Sequence, residues 1–346
     1  MINRAAFMTG LNQLEIREVP VPEPKASEVL VKLDYVGICG SDVHYLEHGK
    51  IGDFVVNGDF ILGHECAGII VAVGSDVKQL KAGDRVALEP GATCGKCEFC
   101  ISGRYNLCPD VEFLATPPYH GCFANYIAFP AHLAFKLPDS ISNKEGALIE
   151  PLSVGMHAAK QGSVTLGSSV VILGAGCIGL TALLASKAFG ALDITVVDVI
   201  QKRLDKALEL GATRVINAAQ EDVLERISEL TSGEGVDIVM ETAGAVRTTQ
   251  QTPHLVKRGG TIVLVGMPPQ DIIEFNFAKL LSKEAEIKTV FRYRNIYPQA
   301  IKAIAEGVID VSGIVTHEYA FEDIAEAFDV NINRKNEVVK IVVKID

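Results

Sequence analysis

The sequence is short of positive charge. Its 346 residues include 32 Lys and Arg against 43 Asp and Glu, which gives a net charge of −11. An acidic surface of this kind excludes sequence-independent binding to nucleic acid, because that binding depends on clustered basic side chains. Internal repeats and low-complexity segments are also absent. The hydrophobic fraction of 48% and the charged fraction of 22% are typical of a globular protein.

The sequence also lacks a convincing membrane segment. One uncharged run, residues 161–186, is long enough to suggest a transmembrane helix. Its glycines divide it into a β-branched part and an Ala/Leu-rich part, so a buried strand followed by a buried helix is the better prediction. The opening MINRAAFMTG has no apolar signal-peptide core. We therefore expect a cytoplasmic protein whose clustered cysteines are reduced and bind metal.

Two regions differ in their secondary-structure pattern. Residues 1 to about 150 contain short strands, such as 28–33 and 67–73, separated by Gly and Pro. Beyond Glu150, strands alternate with helices, which predicts an α/β fold with a doubly wound parallel sheet. The predicted strands there are 170–173, 194–197, 214–217, 236–240, 261–265 and 287–291. One predicted helix begins at residue 177. The others span 201–210, 221–230, 245–256, 298–306 and 321–331. A last strand, 338–344, is expected to return to the first region.

A glycine pattern joins the first strand of the second region to its helix. Gly174, Gly176 and Gly179 form G-x-G-x-x-G, with Cys177 and Ile178 between the last two glycines. In a dinucleotide site the first glycine permits a tight turn, the second lets the backbone approach a pyrophosphate, and the third lets helix and strand pack closely. The helix N-terminus offers free N–H groups to the phosphates. Cys177 is predicted to be a small buried residue beside the cofactor.

An acidic residue supports this interpretation and indicates the cofactor. Asp198 ends the next predicted strand, 19 residues after Gly179. Its carboxylate is expected to accept hydrogen bonds from the adenosine ribose hydroxyls and to repel a 2′-phosphate, which favours NAD over NADP. Arg203, five residues later, is expected to approach the same ribose.

Four cysteines lie within fifteen residues. Cys94, Cys97, Cys100 and Cys108 are separated by two, two and seven residues. Thiolates at this density predict a closed tetrahedral zinc site with a structural role. An iron–sulfur cluster is the alternative, because ferredoxins use similar spacings.

A second group of metal-ligand residue types is dispersed along the chain. Cys39, His64 and Glu65 come from two separate loops, and Glu150 lies at the boundary between the two regions. Fewer than four firm donors from separate loops indicate a catalytic zinc with a position left for water or substrate. These residues alone leave an ordinary solvated loop as the alternative.

Taken together, the sequence resembles the zinc-containing medium-chain dehydrogenases, and among them the polyol (sorbitol and xylitol) dehydrogenases. Cys177 departs from the proline that is common at its position in that family. The resemblance runs in order along nearly the whole chain. The matching segments are GICGSDVH (37–44), LGHE (62–65), GDRV (83–86), GRYNL (103–107), ATPP (115–118), EGALIEPLS (145–153), GAGCIG (174–179), GGTIVLVG (259–266) and VFRY (290–293).

The resemblance implies a fold and a set of cofactors. The fold is a partly open β-barrel catalytic domain of the alcohol dehydrogenase type, into which a Rossmann NAD-binding domain is inserted. The implied boundaries are 1–152 for the catalytic domain, with a structural-zinc lobe at 94–108, 153–289 for the Rossmann domain, and 290–346 for a segment that returns to the catalytic domain. Each chain would bind NAD and two zinc ions, one catalytic and one structural.

The resemblance also implies roles for individual residues. The catalytic zinc is held by Cys39, His64 and Glu65, while Glu150 is either a fourth ligand or the partner of zinc-bound water. Asp42 is expected to accept a hydrogen bond from His64 and so to fix its tautomer. The resemblance also implies residues for proton transfer and residues that line the substrate pocket. The proton leaves through Ser41 and then through His44 or water beside Glu150, and the polyol pocket is lined by Tyr45, Phe113, Arg292 and Tyr293.

The implied activity is the NAD-dependent oxidation of a polyol to a 2-ketose and the reverse reaction. An L-threonine or vicinal-diol dehydrogenase on the same scaffold is the nearest alternative. A zinc-free quinone reductase relative and a catalytically silent NAD-binding protein are more distant alternatives. A homodimer or homotetramer is expected, through an interchain sheet that involves strand 261–265 and the segment after it. The substrate is a small molecule, with no membrane or nucleic-acid partner.

Overall fold

The computed structural model describes residues 2–270 and 272–345. The strands, in chain order, are β1 Asn3–Gly10, β2 Gln13–Val19, β3 Glu28–Gly37, β4 Lys50–Ile51, β5 Phe54–Val55, β6 Phe60–Ile61, β7 Glu65–Val73, β8 Arg85–Leu88, β9 Gly91–Ala92, β10 Glu112–Phe113, β11 Tyr126–Pro130, β12 Ala134–Lys136, β13 Ser169–Leu173, β14 Asp193–Asp198, β15 Arg214–Asn217, β16 Val236–Glu241, β17 Val256–Leu264, β18 Glu286–Thr289, β19 Val315–Ala320 and β20 Lys340–Lys344.

The α-helices lie mainly in the second half of the chain. They are α1 Gly40–His48, α2 Glu98–Ile101, α3 Asn143–Ala147, α4 Ile149–Gln161, α5 Cys177–Ala188, α6 Gln201–Glu209, α7 Val223–Leu230, α8 Val246–Leu255, α9 Phe277–Lys283, α10 Tyr297–Ala305 and α11 Ile324–Asn333. Short 3₁₀ turns are found at Tyr105–Leu107, Ala131–Leu133, Ser312–Ile314 and Phe321–Asp323.

The chain forms two compact units. The first comprises Met1–Glu150, Tyr297–Glu306 and Val315–Asp346, and the second comprises Pro151–Ile296 and Gly307–Ile314. The first boundary lies two residues before the expected 152/153 and the second lies seven residues after the expected 289/290. The segment 290–346 returns to the first unit only in part, because residues 290–296 and 307–314 belong to the second. Val290 explains part of the difference, because its N–H donates to the Leu264 carbonyl (2.9 Å) and thereby continues the second unit beyond β18.

The first unit is built on a mostly antiparallel seven-stranded sheet. Its order is β12-β8-β7-β3-β20-β19, with β11 also paired to β3, so β12 and β19 are the end strands, as in a partly open barrel. One face covers an apolar core in which the rings of Phe123 and Phe328 pack edge to face. The predicted return of the C-terminal strand is confirmed, because Val342 of β20 lies opposite Gly37 of β3.

The second unit is a parallel six-stranded sheet of order β15-β14-β13-β16-β17-β18. Its central strands are apolar on both faces, and residues 170–173 of β13 are at most 1% exposed, as expected for a sheet covered by helices on both sides. The strands that follow β13 extend the sheet on one side of it, through β14 and β15, and the later strands extend it on the other side, from β16 onward. The strand order therefore reverses between β13 and β16. This is the point at which doubly wound sheets bind ligands at the carboxyl ends of their strands. The predicted α/β architecture is therefore confirmed.

The uncharged run 161–186 divides as the sequence predicts, into β13 and the first part of α5. Within the two described ranges, every helix is too short or too polar to cross a bilayer.

Candidate metal and dinucleotide sites

Strand pairing in the first unit brings three candidate metal ligands together. Cys39 directly precedes α1, just after β3, while His64 and Glu65 lie where β7 begins. Because Gly37 of β3 is paired with Glu65 of β7, the two strand ends are adjacent. The ligand atoms of Cys39, His64 and Glu65 all lie within 4.8 Å of one another. The structure thus brings the three predicted donors of the catalytic zinc to one place.

Asp42 ties the two ligand-bearing segments to each other. It is fully buried, and its Oδ2 accepts the Cys39 N–H (2.9 Å) while its Oδ1 accepts the Gly63 N–H (2.9 Å). The same Oδ1 lies 3.5 Å from Nδ1 of His64. Burial lowers the pKa of His64, but the charges of Asp42 and Cys39 outweigh it and hold that pKa well above its ordinary value. An imidazole oriented through Nδ1 leaves Nε2 for a metal, as in carboxylate–histidine–zinc arrangements.

Lys340 is a buried cation that the sequence analysis missed. Its Nζ donates to Glu65 Oε1 (2.7 Å), to Glu65 Oε2 (2.6 Å) and to the Ile38 carbonyl (2.9 Å). Gly37 makes room for this arrangement, because a Cβ there would lie 2.0 Å from Glu65 Oε2. The signal in the sequence was a lysine inside the apolar strand β20, where a charged side chain needs a buried partner.

The donor set suits zinc. A thiolate, an imidazole nitrogen and a carboxylate are the three ligand types that zinc prefers, and three protein donors leave a fourth position open. The Lys340 ammonium leaves acceptor positions of the Glu65 carboxylate available, because the two oxygens together have about four lone-pair directions. Glu150 lies in the first turn of α4 and is 5% exposed, but it is not one of the three clustered donors.

The other predicted residues of the first unit lie on or near α1. Ser41 is half-buried in the first turn. His44 is exposed and lies against His48, with 4.5 Å between ring centroids. Burial, helped by His48, lowers the pKa of His44 below its ordinary value. His44 is therefore neutral at pH 7 and able to accept a proton.

Two buried aromatic residues belong to the same neighbourhood. The Phe113 ring lies 5.7 Å from the His64 ring, and Tyr45 packs against Phe60 at 6.3 Å. Phe113 is thus an apolar neighbour of the donor cluster.

The four-cysteine lobe has the dimensions of a tetrahedral thiolate site. The Cys97–Cys100 and Cys94–Cys108 sulfur pairs are each 3.5 Å apart, and all four sulfurs lie within 4.8 Å of one another. A zinc–sulfur bond of about 2.3 Å separates the sulfurs of a tetrahedron by about 3.8 Å. Backbone N–H groups of Lys96 and Cys97 lower the pKa of Cys94 to about 7, which favours the thiolate form that binds zinc. These residues fit a structural zinc ion.

Each glycine of the second unit's turn has a distinct geometric role. Gly174 has a φ of +108° and ends β13 in the tight turn. Above Gly176 the space is open, with only Nη1 of Arg203 at 4.0 Å from an added Cβ. At Gly179 an added Cβ would lie 1.9 Å from the Gly174 carbonyl oxygen, so α5 packs directly on the turn. Open space over Gly176 at the start of a helix is what a pyrophosphate requires.

Asp198 lies at the carboxyl end of β14, beside this turn. Its Oδ2 accepts the Ala175 N–H (2.7 Å) and its Oδ1 accepts the N–H groups of Val199 and Ile200 (2.8 and 2.9 Å). The carboxylate is therefore fixed next to the glycine turn. Burial lowers the pKa of Arg203 below its ordinary value, and the charge of Asp198 offsets part of this effect. The guanidinium therefore interacts electrostatically with this carboxylate.

Glu241 is a further acidic residue beside the glycine turn, and its role was not predicted from the sequence. It is 1% exposed at the carboxyl end of β16 and accepts the N–H groups of Ala243 and Gly244 (both 3.0 Å) and the hydroxyl of Thr248 (2.7 Å). Burial raises its pKa. Because Glu241 pairs with Leu173, it shapes the loop next to the glycine turn. An acidic residue that ends an apolar strand was the available signal.

Arg292 and Tyr293 lie in the second unit. Arg292 has a φ of +57°, and its guanidinium lies over the ring of Phe291 at 4.8 Å. Tyr293 is 3% exposed. Their assignment to substrate contact stays a prediction.

The sequence matches two protein-family models. The alcohol dehydrogenase GroES-like domain matches residues 25–139, and the zinc-binding dehydrogenase domain matches residues 177–306. The sorbitol dehydrogenase of Bacillus subtilis is 48% identical over 340 residues, which cover 98% of this chain and 96% of the relative.

Two solved structures extend the comparison. An Escherichia coli oxidoreductase of unknown specificity superposes with a TM-score of 0.97 at 48% identity, over 100% of both chains. The 2R,3R-butanediol dehydrogenase of Bacillus subtilis superposes with a TM-score of 0.90 at 31% identity, over 99% of this chain and 100% of that one. The chain belongs to the zinc-binding dehydrogenases and is an alcohol dehydrogenase-type oxidoreductase that is similar to sorbitol dehydrogenases.

Proposed function

We propose that the protein oxidises a polyol such as sorbitol or xylitol to the 2-ketose, with NAD as the hydride acceptor, and catalyses the reverse reaction. The convergence of Cys39, His64 and Glu65 carries this proposal. Three donors of different chemistry within 4.8 Å would hold a zinc ion and leave its fourth position for water or substrate. The 48% identity to a sorbitol dehydrogenase supports a polyol as the substrate class.

Cys39, His64 and Glu65 would hold the zinc, with Asp42 and Lys340 positioning them. When bound, the zinc supplies a Lewis acid that lowers the pKa of the substrate hydroxyl, and NAD accepts the hydride. Asp42 holds the two ligand segments together through the N–H groups of Cys39 and Gly63, and its Oδ1 lies 3.5 Å from Nδ1 of His64. Lys340 fixes the Glu65 carboxylate through both of its oxygens.

Proton removal is assigned to residues on α1. Ser41 would take the proton of the substrate hydroxyl, and His44 or water beside Glu150 would pass it to solvent. The lowered pKa of His44 supports the first exit, because a neutral imidazole accepts a proton at pH 7.

Polyol preference would come from polar groups beside an apolar surface. Phe113 supplies the apolar surface next to His64, and Tyr45, Arg292 and Tyr293 are proposed to bond substrate hydroxyls. A site built to bond several hydroxyls rejects simple alcohols, because its polar groups would then be unpaired.

Preference for NAD over NADP is assigned to Asp198. Its carboxylate is fixed beside Gly174, where the adenosine ribose would lie. A 2′-phosphate there would face a negative charge, whereas the ribose hydroxyls would find an acceptor.

A vicinal-diol or L-threonine dehydrogenase is the second candidate. The 2R,3R-butanediol dehydrogenase shares the whole fold at 31% identity and favours the diol. Initial rates with sorbitol, xylitol, galactitol, L-threonine and 2,3-butanediol under one set of conditions distinguish the candidates. We expect kcat/KM to be highest for a polyol, and a higher value for L-threonine or 2,3-butanediol would reverse the assignment.

The more distant alternatives differ in metal content. A quinone reductase relative has no use for the three clustered donors. A catalytically silent NAD-binding protein would hold zinc only in the cysteine lobe. Two zinc ions per purified chain support the enzyme, and one supports the silent protein.

We also propose that the protein is cytoplasmic and forms a homodimer or homotetramer. Residues 261–264 of the expected interchain strand 261–265 belong to β17, which has β16 and β18 on its two sides. The outer strand is β18, and Met267, Ile272 and Phe277 near it are exposed at 70%, 86% and 66%. Pairing of β18 with the same strand of a second copy would cover this apolar surface. Light scattering gives the mass directly.

A further inference from the structure

A groove of about 690 Å³ lies within the second unit, away from the glycine turn. It is formed by α7 and the residues that follow it as far as β16, by the end of α8 and the first residues of β17, and by α9. In a parallel sheet all amino ends lie at one edge, and the turn at Gly174 follows the carboxyl end of β13 at the other edge. The groove is therefore separate from the dinucleotide site. Its polar lining includes Glu234, His254, Lys257, Arg258, Lys279 and Lys283.

The groove concentrates positive charge in an acidic protein. Lys257, Arg258, Lys279 and Lys283 line it with a single carboxylate, Glu234, whereas the whole chain has a net charge of −11. Lys257 is paired with Asp237, behind the lining. Across residues 2–270 and 272–345, none of the other three cations forms an ion pair with a carboxylate.

Backbone carbonyls hold two of these cations in position. Arg258 Nη1 donates to the Ser282 carbonyl (2.8 Å), and Lys283 Nζ donates to the carbonyls of His254 (3.2 Å) and Val256. Lys279 projects from the exposed face of α9 and contributes to the same field. Burial lowers the pKa of Lys283, and the charges of Lys279 and Arg258 lower it further. The cations thus repel one another, and an anion in the groove would relieve that repulsion.

We propose that this basic groove binds a small anion that carries two or more linked phosphate groups. Guanidinium and ammonium groups are the donors that phosphate oxygens prefer, and Arg258 keeps further N–H groups beyond the one bonded to Ser282. A pyrophosphate group spans neighbouring cations as a single phosphate cannot. The volume also accommodates a nucleotide, so the source is either an inorganic polyphosphate or the phosphate chain of a nucleotide.

Calorimetry with inorganic pyrophosphate tests the proposal. The full-length protein is first saturated with NAD so that the glycine turn is occupied. We expect wild type to bind pyrophosphate, and Lys279→Gln to weaken binding about tenfold, which is the value of one charge-assisted hydrogen bond. Arg258→Gln is the second variant. Lys302→Gln, which removes an exposed lysine from α10 outside the groove, is the matched control and should bind as wild type does.

Calorimetry with ADP in place of pyrophosphate shows whether the groove binds an inorganic polyphosphate or the phosphate chain of a nucleotide. Equal affinities assign the groove to the phosphates alone, and tighter ADP binding assigns it to a nucleotide. Absence of pyrophosphate binding by wild type would overturn the proposal, as would equal weakening by Lys302→Gln. The proposal also fails if the groove variants change the mass of the particle in light scattering and leave pyrophosphate affinity unchanged, because the cations would then belong to a subunit contact.

Discussion

The Lys340 ammonium and the Glu65 carboxylate form a buried ion pair, with 2.6 Å between Nζ and Oε2 and side-chain exposures of 3% and 1%. The pair joins the last strand of the chain to the candidate metal ligands. Because Nζ also donates to the carbonyl of Ile38, the residue before Cys39, one cation holds parts of both ligand segments.

Replacing Lys340 should make the protein's stability depend more strongly on zinc. Loss of one partner of a buried ion pair costs about 3–5 kcal/mol, because the remaining charge stays uncompensated. In Lys340→Met the Glu65 carboxylate has lost its cation, and a zinc ion would supply the missing positive charge. We therefore expect the chelated variant to be less stable than chelated wild type and to gain more from added zinc. Urea unfolding with and without zinc measures both effects.

Lys340→Arg keeps the positive charge and is the control. Its stability and its gain from added zinc should be closer to those of wild type than the values for Lys340→Met are. The structural zinc contributes equally to wild type and variants, so it cancels in the comparison. An equal gain from zinc in wild type and Lys340→Met would show that Glu65 does not lie next to the metal.

Asp198→Ala should weaken NAD binding more than NADP binding. The variant removes an acceptor for the ribose hydroxyls and also removes the charge that disfavours a 2′-phosphate. Because the carboxylate also bonds the Ala175 N–H, some loss is shared by both cofactors, and the ratio of affinities is the informative quantity. Titration of NADH and NADPH fluorescence gives that ratio. An unchanged ratio would mean that Asp198 only supports the turn.

Cys97→Ser should reduce stability before it affects the chemistry. The Cys97 sulfur is one of four that are grouped within 4.8 Å, and a hydroxyl is a poor zinc ligand in a thiolate cage. We expect a lower unfolding temperature and one zinc fewer per chain, with activity retained in the fraction that stays folded. A variant of wild-type stability that has lost its activity would contradict the structural role of the lobe.

His157 should make the folded state sensitive to acid. Burial, with Arg294 and Lys160, lowers the pKa of His157 to about 4 from an ordinary value near 6.5. Between these values the unfolded chain binds a proton that the native chain does not, so stability falls as the pH falls through this window. From pH 7 to pH 4.5 this residue contributes a loss of about 2–3 kcal/mol.

His157→Leu removes this contribution and keeps the position apolar. Urea unfolding midpoints at pH 7 and pH 4.5 should differ less for the variant than for wild type. Parallel pH profiles would show that His157 is not the residue responsible.

The parts of the site that local spacing encodes were predictable from the sequence. The glycine turn at Gly174 and the cysteine lobe each lie within fifteen residues. The turn is indicated by its glycines together with the flanking strand, the following helix and Asp198, and the lobe is indicated by the density of its thiols. For Asp42 the sequence predicts a hydrogen bond from His64, which stays a prediction, and the bonds that the structure shows come from the N–H groups of Cys39 and Gly63. The alternation of strands and helices beyond Glu150 predicted their succession along the chain, although β17 begins five residues before the predicted 261–265.

Long-range partners were not predictable in the same way. Lys340 is 275 residues from Glu65, and only the pairing of β20 with β3, and of β3 with β7, brings them together. Glu241 was missed because its partners are backbone N–H groups of the loop that follows it, and these leave no pattern of residue types.

Anomalous scattering at the zinc absorption edge, from crystals of the protein purified without chelator, tests the central claim most directly. We expect two peaks per chain, one surrounded by the four sulfurs of the cysteine lobe and one in contact with Cys39, His64 and Glu65. A peak in the cysteine lobe alone, with none at Cys39, His64 and Glu65, would contradict the proposed chemistry.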